Sequence, residues 1–161
     1  MVSGPTLKQQ IDQKVQEIKQ AVSGLSEEQA SKPAAQGEWS AKEVLSHLSG
    51  DGSTDAVSLL DRVIKQDTPE IDIHPGQSYY EGRESIPLKE LAVRVESTYG
   101  EMGKFLSGLS EEQLNRKAQV PLLKETPIGE YPTLGQLAGA LINFHLNDHV
   151  NQLRNLSQQQ Q

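Results

Sequence analysis

The sequence predicts an all-α protein, a four-helix bundle, on three observations. Four long segments carry apolar residues at the three- and four-residue spacing of a helix. No segment shows the strict apolar/polar alternation of a half-buried strand. Only 4% of residues are aromatic, which favours aliphatic packing between helices over a tyrosine- and tryptophan-rich sheet sandwich. At 161 residues the chain is expected to form one domain, residues 1–161, with a continuous core.

The first segment, residues 7–25, aligns Leu7, Ile11, Val15, Ile18, Val22 and Leu25 on one face. The second opens at "WSAKE", where Ser40 and Glu43 form a capping box, and Val44, Leu48, Leu59 and Val63 follow on one stripe. The third starts near Pro87, a residue suited to a first helical turn, and its stripe is Leu88, Leu91, Val95, Tyr99, Met102 and Leu106, with Leu109 after Gly108. The fourth opens at Thr133, with Gln136 completing another capping box. It continues through Leu137, Leu141, His145, His149 and Gln152 to Leu156 as one core-facing row.

The hexapeptide "GLSEEQ" stands at 24–29 and again at 108–113, each time after an amphipathic helix and before an irregular stretch and a capped helix. That order of parts points to duplication of a helix–loop–helix unit. The connections 26–39, 67–86 and 113–132 are long for an up-and-down bundle, and loops of that length usually carry function. The stretches "IDIHPGQSYYEGRES" and "VPLLKETPIGEYP" are expected to fold over one end of the bundle and to offer Tyr79, Tyr80, Arg83 and Tyr131 to a pocket. The Gln-rich tail, 157–161, is expected to fray.

Composition narrows the partners. The formal net charge is −7 with no concentrated Lys/Arg stripe, which argues against nucleic acid. No run of about 18 apolar residues and no basic-then-apolar leader occurs, so the expected location is the cytoplasm, away from membranes. Cysteine is absent, which excludes disulfides, thiolate zinc sites and a protein thiol nucleophile. Any thiol chemistry would need a thiol from outside.

Two stripes carry polar residues where core is expected. Positions 44, 47, 48, 51, 55 and 59 share a face, so His47, Asp51 and Asp55 interrupt an apolar row. Gly50 and Gly52 each cost about 1 kcal/mol inside a helix, so either the helix breaks there or a close approach offsets the cost. In the fourth segment His145 and His149, four apart, present two imidazoles at neighbouring points, a spacing suited to one ion. His47 would make three and leave an open position of the kind reactive sites keep. Ni²⁺ or Zn²⁺ comes first and Fe²⁺ also accepts imidazole. The other reading is a set of hydrogen-bonded histidines serving the fold. His74, before Pro75, reads as an exposed loop residue. "HLNDH" lacks the glutamate of a zincin helix, "DGSTDAVSLLDR" has Ala56 and Arg62 where a calcium loop needs glycine and glutamate, and no GxSxG elbow exists.

"EWSAKEVLSHLSGD" and, some 95 residues on, "LINFHLNDHVNQLRNL" together resemble the DinB-like superfamily, with its tryptophan–serine helix start, a histidine about seven residues later and a closing HxxxHxxQ helix. The resemblance covers roughly residues 6–157. It implies a four-helix bundle holding a divalent metal through His47, His145 and His149. It also implies chemistry of one of two kinds. Some members use a low-molecular-weight thiol (mycothiol, bacillithiol or glutathione), and others are described as metal-dependent hydrolases.

The first reading is thus an enzyme whose metal activates a low-molecular-weight thiol for transfer to a small electrophile. The alternatives are a hydrolase using metal-bound water, a non-catalytic metal-binding stress or binding protein, and a metal-free bundle. Asp51 is the candidate base. Asp51 and Asp55 match no family motif, and otherwise orient an imidazole N–H or cap a broken helix. Gln152 is expected to hydrogen-bond beside the ligands without being one. The expected partners are a small-molecule substrate and a second copy in a homodimer.

Overall fold

Helix α1 (Gly4–Val22) begins where the Ser3 hydroxyl accepts the Thr6 backbone N–H at 3.2 Å, with a proline in the first turn. The structure, a computed structural model, describes residues 2–50, 56–73 and 76–159. Beyond α1 come α2 (Glu27–Ala30), α3 (Ala41–Ser49), α4 (Ala56–Lys65), α5 (Leu88–Ser107) and α6 (Glu111–Leu114). A 3₁₀ turn (Pro121–Leu123) leads to α7 (Leu134–Ala140), which runs through a π-helical turn (Leu141–Leu146) into α8 (Asn147–Gln159). Residues 157–159 of the tail continue α8. Among the described residues there are no strands, only the isolated bridges Glu70–Gln119 and Lys117–Thr133. None of the described helices is long and apolar enough to cross a membrane.

Both copies of "GLSEEQ" form the same object, a single capped turn. Ser26 with Gln29 and Ser110 with Gln113 make complete capping boxes, as do Ser40 with Glu43 and Thr133 with Gln136. Helix α1 packs chiefly against α5 and α8, and α3 packs against the same two. The consecutive pairs α1–α3 and α5–α8 are therefore set across the bundle from one another, which their long connections serve, while α3 and α5 are neighbours. The aliphatic stripes of α1 and α5 are buried throughout, from Leu7 to Val22 and from Leu88 to Leu106.

Two expectations are corrected. The second segment is not one helix through Val63. It stops at Ser49, because Gly50 takes φ 72° and its N–H turns back to the carbonyls of Ser46 and His47. Chain direction changes there, and α4 resumes at Ala56 to pack on α5. The row Leu137–Leu141–His145–His149–Gln152 does not face the core. It lies half-buried on a flank, while Leu134, Ala138, Ile142, Leu146, Val150 and Leu153 fill the interior.

The loops also divide differently from expectation. Ile71 and Gln119 exchange backbone hydrogen bonds across the two long connections (Ile71 N–H to the Gln119 carbonyl 2.8 Å, Gln119 N–H to the Pro69 carbonyl 2.9 Å). Arg116 then ties the second loop to α4 through the carbonyls of Val63 and Gln66. Among the described residues, the first loop goes on to the histidines, through the Gln77 carbonyl.

A close backbone approach joins α1 and α5 at Gly4, where an added Cβ would collide with the Leu106 carbonyl. Gly4→Ala is expected to cost about 1–3 kcal/mol, read as a fall in Tm of roughly 3–9 °C. Gly103→Ala is the control: its Cβ would meet Lys8 Cγ at 3.3 Å and otherwise only ordinary contacts at 3.8 Å with Ile11 Cγ2 and Lys8 Cα, and the gain in helix propensity of about 1 kcal/mol offsets the crowding. Equal losses in the two variants would refute the close-approach argument.

Candidate metal centre

The last turn of α3 carries His47, the π-helical turn carries His145, and the first turn of α8 carries His149. The bundle brings the three together: one ring nitrogen from each lies within 4.8 Å of one from each of the others. Ring centroids stand 5.3 Å apart for His47–His145, 4.9 Å for His47–His149 and 4.7 Å for His145–His149. Among the described residues no carboxylate joins this mutual group. Asp51 and Asp55, and likewise His74, lie outside the described residues.

Outer hydrogen bonds fix two of the three rings. His47 donates its Nδ1–H to the Gln77 backbone carbonyl at 2.6 Å, and His149 donates its Nδ1–H to Gln152 Oε1 at 2.9 Å. An acceptor on Nδ1 leaves Nε2 with its lone pair, the state a metal ligand needs. Trp39 walls the site, its ring 5.0 Å from His47 and stacked within 9° of the His149 plane at 6.3 Å. All three histidines are half-buried.

Burial pushes His145 down to about 4, the neighbouring His149 and His47 push the same way, and Asp148 opposes them. Burial also lowers His149, against the hydrogen bond it donates to Gln152, with His47 lowering it further and Asp148 opposing. These two rings are neutral at pH 7 and present lone pairs, not protons. The donor set therefore fits a divalent ion that accepts imidazole. A tetrahedral ion at about 2.0–2.1 Å from each nitrogen needs the ligand atoms about 3.4 Å apart, a modest closing of the present group.

A cavity of about 560 Å³ adjoins the cluster, lined by Trp39, residues 76–81 and Arg83. Tyr79 and Tyr80 line it as expected from sequence. Tyr131 does not, and is half exposed elsewhere. Arg83 reaches the cavity edge but spends its donors on the end of α3. The wall formed by Trp39 and the Gln77 carbonyl was not anticipated. Trp39 stood in the sequence motif, whereas a main-chain carbonyl leaves no mark in sequence.

A family model described as the DinB superfamily matches residues 10–153. Among solved structures, YfiT from Bacillus subtilis, described as a probable metal-dependent hydrolase with an unusual four-helix bundle topology, superposes with a TM-score of 0.75 at 20% identity, covering 99% of this chain and 90% of that one. No curated protein matches the chain.

The lowered histidines set a pH dependence for the metal-free protein. Below about pH 6.5 the unfolded chain takes up protons that the folded site refuses until about 4, so stability held near neutrality drains away across that interval. Urea midpoints of metal-free protein should fall from pH 7 to pH 4, and His145→Gln should flatten the fall. Superimposable profiles for parent and variant would count against a buried neutral His145.

Proposed function

The chain belongs to the DinB superfamily, and from that premise we propose that it is a divalent-metal-dependent enzyme that activates a low-molecular-weight thiol for transfer to a small electrophile. The ion would be held by His47, His145 and His149, with Ni²⁺ or Zn²⁺ the first candidates. When bound, such an ion supplies Lewis-acid stabilisation of an anionic nucleophile at neutral pH. One observation carries the choice of thiol. The described group of ligand atoms is three imidazoles, which leave an ion an open position that a thiol can take. A thiol needs no protein base, because coordination deprotonates it outright. The absence of cysteine means that the thiol comes from outside.

The protein's own residues do the arranging. Gln152 and the Gln77 carbonyl hold the outer nitrogens of His149 and His47, so that both rings stay in one tautomer. Trp39 excludes water from one side of the rings, and Tyr79 and Tyr80 form the near wall of the cavity that would receive the electrophile.

A second reading, hydrolysis, is supported by the likeness to YfiT and its description as a probable metal-dependent hydrolase. There Asp51 is the candidate base, with Asp55 beside it to orient an imidazole N–H. Metal content tests both readings. Parent protein should carry about one equivalent of Ni or Zn, and a His145→Ala/His149→Ala double variant should carry none. Gln152→Leu should weaken binding by about 10–100-fold. Co²⁺-substituted protein titrated with small thiols should develop a sulfur-to-cobalt charge-transfer band. Metal uptake with no thiol response, together with turnover of simple esters or amides, would select hydrolysis. Protein that takes up no metal would sink both.

A further inference from the structure

Arg83 is committed to the carboxyl end of α3. Its Nη1 donates to the Ser46 carbonyl and to Ser49 Oγ, both at 3.1 Å, and its Nη2 donates to the Gly50 carbonyl at 2.5 Å. These acceptors flank His47 in sequence. Helix ends leave carbonyls without intrahelical donors and favour a nearby cation, so fork geometry and charge both hold this grip.

The chain from Gln77 to Arg83 is short and braced. The Arg83 N–H donates to the Tyr80 carbonyl at 2.8 Å, and the path passes through φ 54° at Tyr79 and φ 84° at Gly82. Tyr79 is a non-glycine residue in the left-handed region, a conformation that persists only where its surroundings enforce it. At the far end of this segment stands the Gln77 carbonyl that accepts from His47 Nδ1. One loop thus holds one helix end twice, by a carbonyl at the histidine and by a guanidinium beyond it.

We propose that Arg83 is a positioning residue for His47. By anchoring residues 77–83 to α3 it keeps the Gln77 carbonyl against the His47 Nδ1–H and so preserves the tautomer that leaves Nε2 for an ion. The inference rests on the ligand role proposed for His47. A role limited to capping α3 would change stability and leave the histidine untouched.

The test compares Arg83→Ala and Arg83→Lys with Arg116→Ala, which removes a similar guanidinium grip at the end of α4. Zn²⁺ affinity is read by competition with a chromophoric chelator. Arg83→Ala should weaken it by about 10–100-fold, as loss of an outer partner of a ligating histidine does. Arg83→Lys, which cannot reproduce the fork, should fall between variant and parent. Arg116→Ala should lower Tm at parental affinity. In a His47→Ala background, Arg83→Ala should bring no further loss, since it acts through that ring.

Parental affinity in Arg83→Ala, or losses that add to those of His47→Ala, would overturn the proposal. A second readout needs no metal: the ¹⁵N-resolved His47 Nδ1–H signal should be protected from exchange in parent and Arg116→Ala and lost in Arg83→Ala. If parent takes up no Zn²⁺, the proposed function fails, and the N–H signal still decides the role of Arg83. Should Arg83→Ala not fold, Arg83→Lys carries the test, and parental affinity with an unchanged signal in that variant would overturn it.

Discussion

Everything near the site follows from one requirement, that the last turn of α3 meet the middle of the fourth long helix. His47 can touch His145 and His149 only if α3 stops beside them, and Gly50 at φ 72° stops it. The break releases α4 to pack on α5 and leaves the carbonyls of Ser46, His47 and Gly50 at a helix end. The carbonyls of Ser46 and Gly50, with Ser49 Oγ, are what draws Arg83, and with it the first long loop, onto the site.

The helices were legible because aliphatic burial is a local, periodic pattern. Every residue of the α1 stripe from Leu7 to Val22 and of the α5 stripe from Leu88 to Leu106 is buried, and both capping boxes read from the sequence form, Ser40 with Glu43 and Thr133 with Gln136. The fourth helix shows where periodicity misleads. Neighbouring residues lie about 100° apart on a helix, so a four-spaced row looks the same whether it faces the core or the flank beside it. The row with the histidines and the row Leu134–Ala138–Ile142–Leu146–Val150 both keep that spacing. Four consecutive steps of four would walk a row about 160° around an ideal α-helix. The wider turn at Leu141–Leu146 absorbs that drift, keeping leucines inward and histidines on one flank.

What could not be read is carried by main-chain groups and by contacts distant in sequence. The acceptor for His47 is the carbonyl of Gln77, and any residue type could have supplied it. Arg83 looked like a pocket cation because its partners are carbonyls 33 and 37 residues away in the chain. Glu27, within the first "GLSEEQ", looked like a generic first-turn acid. In the fold its carboxylate accepts the Leu88 N–H at 2.7 Å at the start of α5, where Pro87 supplies no side-chain cap, and it pairs at 3.3 Å with the buried Lys42. One turn of the repeat thereby fastens α3 and α5 together, a role that the capping box itself does not require.

The chemistry of the outer partners bears on what the centre can hold. Carboxylates behind ligating imidazoles would raise their basicity and offset part of an ion's charge. Here the acceptors are a peptide carbonyl and a side-chain amide, both neutral, and burial keeps His145 and His149 neutral as well. Asp148 is the acid that pulls His145 and His149 upward, and in each ring it is the weakest named influence. A divalent ion among these described groups would keep nearly its full charge and would be completed best by an anion arriving from the cavity. A thiolate and a hydroxide both meet that demand. They differ in the proton they must shed: coordination removes a thiol's outright and brings that of water to about neutrality.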